Sequence, residues 1–229
     1  GGNTGGGGGG TTAKPSFAIT ADKTAIDSEL QMLTDVTVTL TPKDGFTGSV
    51  TLATTGLPTG ATGVFTPATV NVTGTAPVTA TLRITTPSTV TPTAAPLAVK
   101  VTGTGGTGTP VTSEAALTYN VKRVITITIP QNVAQATNPF GAGDIVINTG
   151  GNISGAAPIK VYFLNKDSSK DHIIHSTNTT NGFVHGSTNT ANAIPLNGMD
   201  PVRNVTGTGR YPFYMHDGAN TPAGAIKIN

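Results

Sequence analysis

An all-β fold follows from three features of the 229-residue chain. Thr, Gly, Ala, Asn and Val dominate it, and charged residues make up only 10%. Thr and Val fit pleated, half-buried strands, whereas Gly, Pro and Asn supply turns. Apolar and polar residues alternate over short runs, the period of a strand with one buried face, and no long window sets apolar residues at helical spacing.

Residues 1–14 open with a glycine run and read as a flexible linker, because glycine offers nothing to bury and is costly to order. Ser16–Ala21 then alternates, with Phe17 and Ile19 on one face. Asp35–Thr41 repeats the pattern through Val36, Val38 and Leu40, and Ser49–Thr54 through Val50 and Leu52. Turn signals at Pro42–Gly45 and Gly56–Gly60 separate these runs. Further strands are predicted near Val64–Phe65, Val70–Val72, Val78–Thr85, Leu97–Thr102 and Ala115–Val121. Short strands at this spacing, with dense turns, predict a β-sandwich over residues 15–122. Its carboxylates are scattered; Asp22, Asp27 and Glu29 are near enough in sequence for a calcium site, but their spacing matches no EF-hand loop.

Lys122–Arg123 marks a predicted boundary, and residues 123–229 form a second unit. Val124–Ile129 alternates and ends at Pro130. Strands are predicted at Asp144–Asn148, Pro158–Leu164, His172–His175, Val202–Thr206, Tyr211–Met215 and Ala225–Ile228. Tyr211, Phe213 and Met215 share one strand face. This number of strands in about a hundred residues suits one barrel or sandwich.

Composition excludes several function classes. The net charge is +2 and the basic residues are dispersed, so there is no patch for nucleic acid. Without cysteine the chain has no disulfide framework and no thiolate metal site. No apolar run reaches membrane-spanning length. The glycine run at Gly1 suggests either an N-terminal membrane or surface tether, exposed when a longer precursor is processed, or an artificial chain boundary. An exported protein, periplasmic, cell-surface or extracellular, is the expectation. No Gly-x-Ser-x-Gly elbow or Walker-type loop is present, and an enzyme is not expected.

Two resemblances add to this reading. Phe46–Leu52, Gly56–Ala61 and Val64–Val70 resemble the bacterial immunoglobulin-like modules that serve as spacers in secreted and surface proteins. That likeness covers residues 15–122 and implies an immunoglobulin-like β-sandwich without implying a chemistry. Asn165–His175, Gly209–His216 and Gly224–Ile228 resemble segments of the cupredoxins, small copper-binding Greek-key β-barrels, and Gly182–Gly186 is similar to a loop of some members. This second likeness covers residues 124–229.

The departures limit what the cupredoxin likeness implies. Met215 stands where the family has its copper cysteine, Gly218 where it has its second histidine, and Thr221 near its axial methionine. A blue-copper site needs the thiolate, so it cannot form here. The resemblance instead implies copper in a cysteine-free set drawn from His172, His175, His185, Met215 and His216, for copper handling or electron transfer. Imidazole and thioether both suit copper, and zinc is compatible with His172, His185 and His216. On an extended strand His172 and His175 point to opposite faces, so one of them is the site residue. The competing expectation is a metal-free structural or adhesive surface subunit, self-assembling or bound to a protein partner.

Overall fold

Alternation keeps a single phase across residues 111–129. Leu117, Tyr119, Val121, Ile125, Ile127 and Ile129 are all buried, and all lie on the face that carries odd-numbered residues. The computed structural model describes residues 13–106, 109–133, 138–176, 193–200, 202–215 and 223–229. Its strands are β1 (Ser16–Ala21), β2 (Ala25–Leu30), β3 (Met32–Lys43), β4 (Gly48–Thr55), β5 (Thr62–Thr66), β6 (Thr69–Val72), β7 (Val78–Thr86), β8 (Leu97–Gly105), β9 (Val111–Ile129), β10 (Ile145–Ile147), β11 (Ile159–Asn165), β12 (Ile174–His175), β13 (Arg203–Val205), β14 (Gly209–Met215) and β15 (Ala223–Ile228). No described residue lies in an α-helix. The protein is all-β.

Three sheets form. The first is antiparallel and runs β1-β3-β7-β5. The second runs β13-β11-β9-β8-β4-β6, with β2 also paired to β9, and the third runs β10-β15-β14-β12. Strand β9 holds the assembly together. It pairs antiparallel with β8 through Val111–Tyr119, parallel with β2 through Thr118–Ile125, and parallel with β11 through Val124–Ile129.

Sheets one and three both rest on the odd face of β9. At the N-terminal end, Ile19 of β1 donates its amide to Ser113 Oγ (3.1 Å). Gly103 sits opposite Ser113, and a Cβ there would meet Ile19 Cδ1 at 2.4 Å, so a larger residue would force the Ile19 side chain to shift. At the C-terminal end, Phe163 lies opposite Ile127 and meets Phe213 of the third sheet edge to face, with ring centroids 5.0 Å apart. One continuous core therefore runs from Phe17 to Ile228. The two parts also touch directly, where Asn148 Nδ2 donates to Thr89 O (2.9 Å).

The inward residues expected from alternation are buried: Phe17, Ile19, Val36, Val38, Leu40, Val50, Leu52, Ile145, Ile147, Ile159, Val161 and Phe163. Three features differ from expectation. The predicted boundary at Lys122–Arg123 falls inside β9, because neither side chain interrupts the strand. Lys122 reaches outward to Asp27 (2.8 Å), and Arg123 donates to Ala157 O (3.4 Å). Strand β2 escaped prediction because Ser28 occupies the inward position between Ile26 and Leu30 and masks the alternation. The expected Greek-key barrel is corrected: among the described residues no sheet closes, and β11 and β13 belong to the β9 sheet rather than to a barrel around β14 and β15.

Ser28 is buried because it has partners. Its Oγ lies 2.9 Å from Thr86 Oγ1, which in turn bonds the Tyr119 hydroxyl. This chain of three hydroxyls crosses the core between the first sheet and the β9 sheet. Thr86→Val should therefore cost about 1–3 kcal/mol, the usual penalty for stranding a buried hydroxyl. Chemical denaturation checks this, and the unfolding midpoint should fall while the denaturant slope stays unchanged.

Candidate functional site

The described part of the predicted site is the turn that leaves β11. Asn165 starts it. Its Oδ1 accepts from Asp167 N (2.9 Å), an Asx-type turn, and its Nδ2 donates to Lys170 O and Ile194 O (both 3.1 Å). The turn directs Asp167 inward, where Oδ1 accepts from Ser169 N (2.9 Å), Ser169 Oγ (2.5 Å) and Gln131 Nε2 (2.9 Å). Gln131 Oε1 accepts in return from Ser168 N (3.0 Å) and Ser168 Oγ (2.8 Å).

His172 closes the cluster. Its Nε2 lies 3.2 Å from Asp167 Oδ2, and both side chains are essentially inaccessible, at 0% and 1%. The backbone of His172 is bridged to Ile194 by bonds of 3.2 and 2.7 Å. Burial works against the Asp167 carboxylate. The bonds from the Ser169 side chain and backbone and from His172 outweigh it, and hold its pKa down at about 2, below the ordinary 3.8.

His175 and Met215 occupy different faces of the third sheet. His175 pairs with Tyr214 and Ile174 with Met215, and directly opposed residues share a face. The His175 ring stacks on Tyr214, with centroids 5.2 Å apart and planes 17° apart. Met215 is fully buried on the other face, in line with Tyr211 and Phe213. His185 and His216 lie outside the described residues.

These placements bear on chemistry. Ser169 Oγ donates to Asp167 Oδ1 and Ser168 Oγ to Gln131 Oε1, so both hydroxyls are engaged in holding the turn. Among the described residues no three His, Cys, Asp or Glu side chains converge to hold a metal ion. His172 faces a carboxylate, and His175 and Met215 diverge, so the described residues do not assemble a copper set. The carboxylates considered for calcium are also separately engaged. Asp22 accepts from Thr37 N, Asp27 from Asn120 and Lys122, and Glu29 from Thr126. Sequence reasoning missed Gln131, whose role depends on the end of β9 arriving beside a turn 36 and 37 residues further along the chain.

Comparison with solved structures shows only remote likeness. The chain is similar to the Escherichia coli chaperone DraB, at 11% identity and a TM-score of 0.34 over 93% of this chain and 99% of that one. It is similar to the D0-D1 domain of intimin, at 14% identity and a TM-score of 0.33 over 94% and 99%. It is also similar to the Salmonella enterica SafA pilin in complex with the SafB chaperone, at 11% identity and a TM-score of 0.34 over 94% and 98%. No protein-family model matches, and no curated protein matches. The cupredoxin resemblance is corrected: the strands expected to form the barrel lie in open sheets, and the solved structures named above are a chaperone, an intimin domain pair and a pilin–chaperone complex, none of them a cupredoxin.

The Asp167 cluster makes a pH prediction. A carboxyl whose folded pKa is depressed contributes stability that is fully present above its unfolded value and is lost as the pH falls through its folded value. Wild-type stability should therefore decline as the pH drops from 3.8 to about 2. Asp167→Asn should be less stable at neutral pH and should show a shallower decline across that window. Denaturant titrations of both proteins at a series of pH values measure this.

Proposed function

We propose that this chain is a non-catalytic structural module of an exported or surface protein, and that it acts through contacts with other proteins. The observation that carries the reading is β9. One strand in one phase joins the three sheets over a continuous core. Of the residues expected to form a metal site, His172 faces Asp167, whose carboxylate fastens the turn after β11. A chain built this way resists deformation and presents broad sheet surfaces. The low charge and the Thr-rich strand faces suit packing against other β-structures.

Export agrees with the Thr-, Gly- and Asn-rich, low-charge composition. No helix of the described residues is long and apolar enough to cross a membrane. The similar solved structures include pilus chaperones, a pilin and an adhesin domain, at a likeness too low to carry function on its own.

Thermal melting of the full chain tests the reading. With chelator, with copper(II) and with zinc the melting temperature should be the same, because only a ligand that binds the folded state shifts it. A rise in melting temperature with one equivalent of copper or zinc, abolished by His172→Ala, would overturn the metal-free reading and place an ion among the histidines.

A further inference from the structure

No Asp, Glu, Lys or Arg occurs between Asp44 and Arg83. This stretch contains β4, β5 and β6 and the first part of β7. In it the chain passes from β5, at the end of the first sheet, to β6, at the end of the second, across Pro67 and Ala68. One side of the sandwich therefore presents two edge strands with no charge on either. Edge strands are normally guarded by charged side chains, proline, bulges or a covering segment, since their unpaired backbone groups recruit other strands.

Three other edges of the fold, β1, β13 and β10, carry such protection. On β1, Ile19 N donates to Ser113 Oγ. Strand β13 carries Arg203, and β10 is flanked by the Asp144–Arg210 pair. Among the described residues, β5 itself carries no charged side chain and no proline, and no strand pairs with its outer edge. It is hydrogen-bonded in regular register to β7 from Thr62 to Thr66, without a bulge. Val64 points outward and is 61% exposed. Arg83 is its cross-strand neighbour on β7, but the guanidinium is turned the other way, donating to both carboxylate oxygens of Asp35 on β3 (2.8 and 2.7 Å).

We propose that β5 is a self-association edge, with the β5 of a second copy of this chain as its occupant. This deepens the structural reading above and rests on it. The sequence of β5, Thr62-Gly63-Val64-Phe65-Thr66, is self-complementary about its centre. Antiparallel pairing across a two-fold axis sets Val64 against Val64 of the other copy and Thr62 against Thr66. Thr–Thr and Val–Val pairs are favourable cross-strand neighbours, and an edge without charge meets no repulsion from its own copy. The outcome is one continuous sheet through both copies, with Val64 covered.

The absence of cysteine supplies a clean test. Opposed residues in an antiparallel pair have Cα atoms about 4.5–5.5 Å apart, within the ~4.4–6.8 Å that a disulfide spans. The full chain carrying Val64→Cys should therefore oxidise to a covalent dimer at least about tenfold faster than one carrying Thr20→Cys on exposed β1. The wild-type chain should sediment as a concentration-dependent dimer, and Val64→Lys as a folded monomer whose melting temperature matches that of the wild type at concentrations where it too is monomeric. A wild-type chain that stays monomeric at every accessible concentration overturns the proposal. So does a dimer that Val64→Lys leaves intact, or a Val64→Cys variant that cross-links no faster than Thr20→Cys. None of these failures involves metal, so they are distinct from failure of the metal-free reading.

Discussion

A strand that buries one face must keep its alternation in phase for as long as that face is covered, and a slip of one residue turns the whole buried set to solvent. Strand β9 meets this constraint over 19 residues. Its odd positions face the first sheet at one end and the third sheet at the other. Sheet order, the parallel attachment of β2 and β11, and the continuity of the core all depend on that phase. The Lys122–Arg123 pair survives in mid-strand because its two side chains leave in opposite directions, each to a partner.

Much of this fold was legible in the residues. Alternation at Ser16–Ala21, Asp35–Thr41 and Ile159–Phe163 identified strands and their inward faces, because one buried side imposes a period of two. What escaped has physical reasons. Ser28 is polar yet buried, and only the hydroxyls of Thr86 and Tyr119, distant in sequence, make that position tolerable. The union of Ala115–Val121 with Val124–Ile129 was hidden by two adjacent cations that read as punctuation. Parallel pairing leaves no hairpin turn to read, so β2 and β11 were not predictable as partners of β9 from local signals.

The candidate site shows the limits of motif reasoning more sharply. Asn165, Asp167 and His172 lie in a spacing that resembles a copper-protein segment, and the structure gives that spacing a structural use. Asn165 shapes the turn, Asp167 collects donors from Ser169 and Gln131, and His172 faces the carboxylate. Met215 extends the apolar row of Tyr211 and Phe213. A buried carboxylate held ionised by several donors stabilises a fold as readily as it orients a ligand, and sequence spacing alone does not separate the two.

Strand β9 makes its two ends parts of one cooperative structure, and native-state hydrogen exchange along that strand is the decisive measurement. Amides of Leu117–Val121 and of Ile125–Ile129 should exchange with the same opening free energy, equal to that of global unfolding, and with the same denaturant dependence. Two separate opening free energies for these segments, with one set exchanging while the other stays protected, would contradict it.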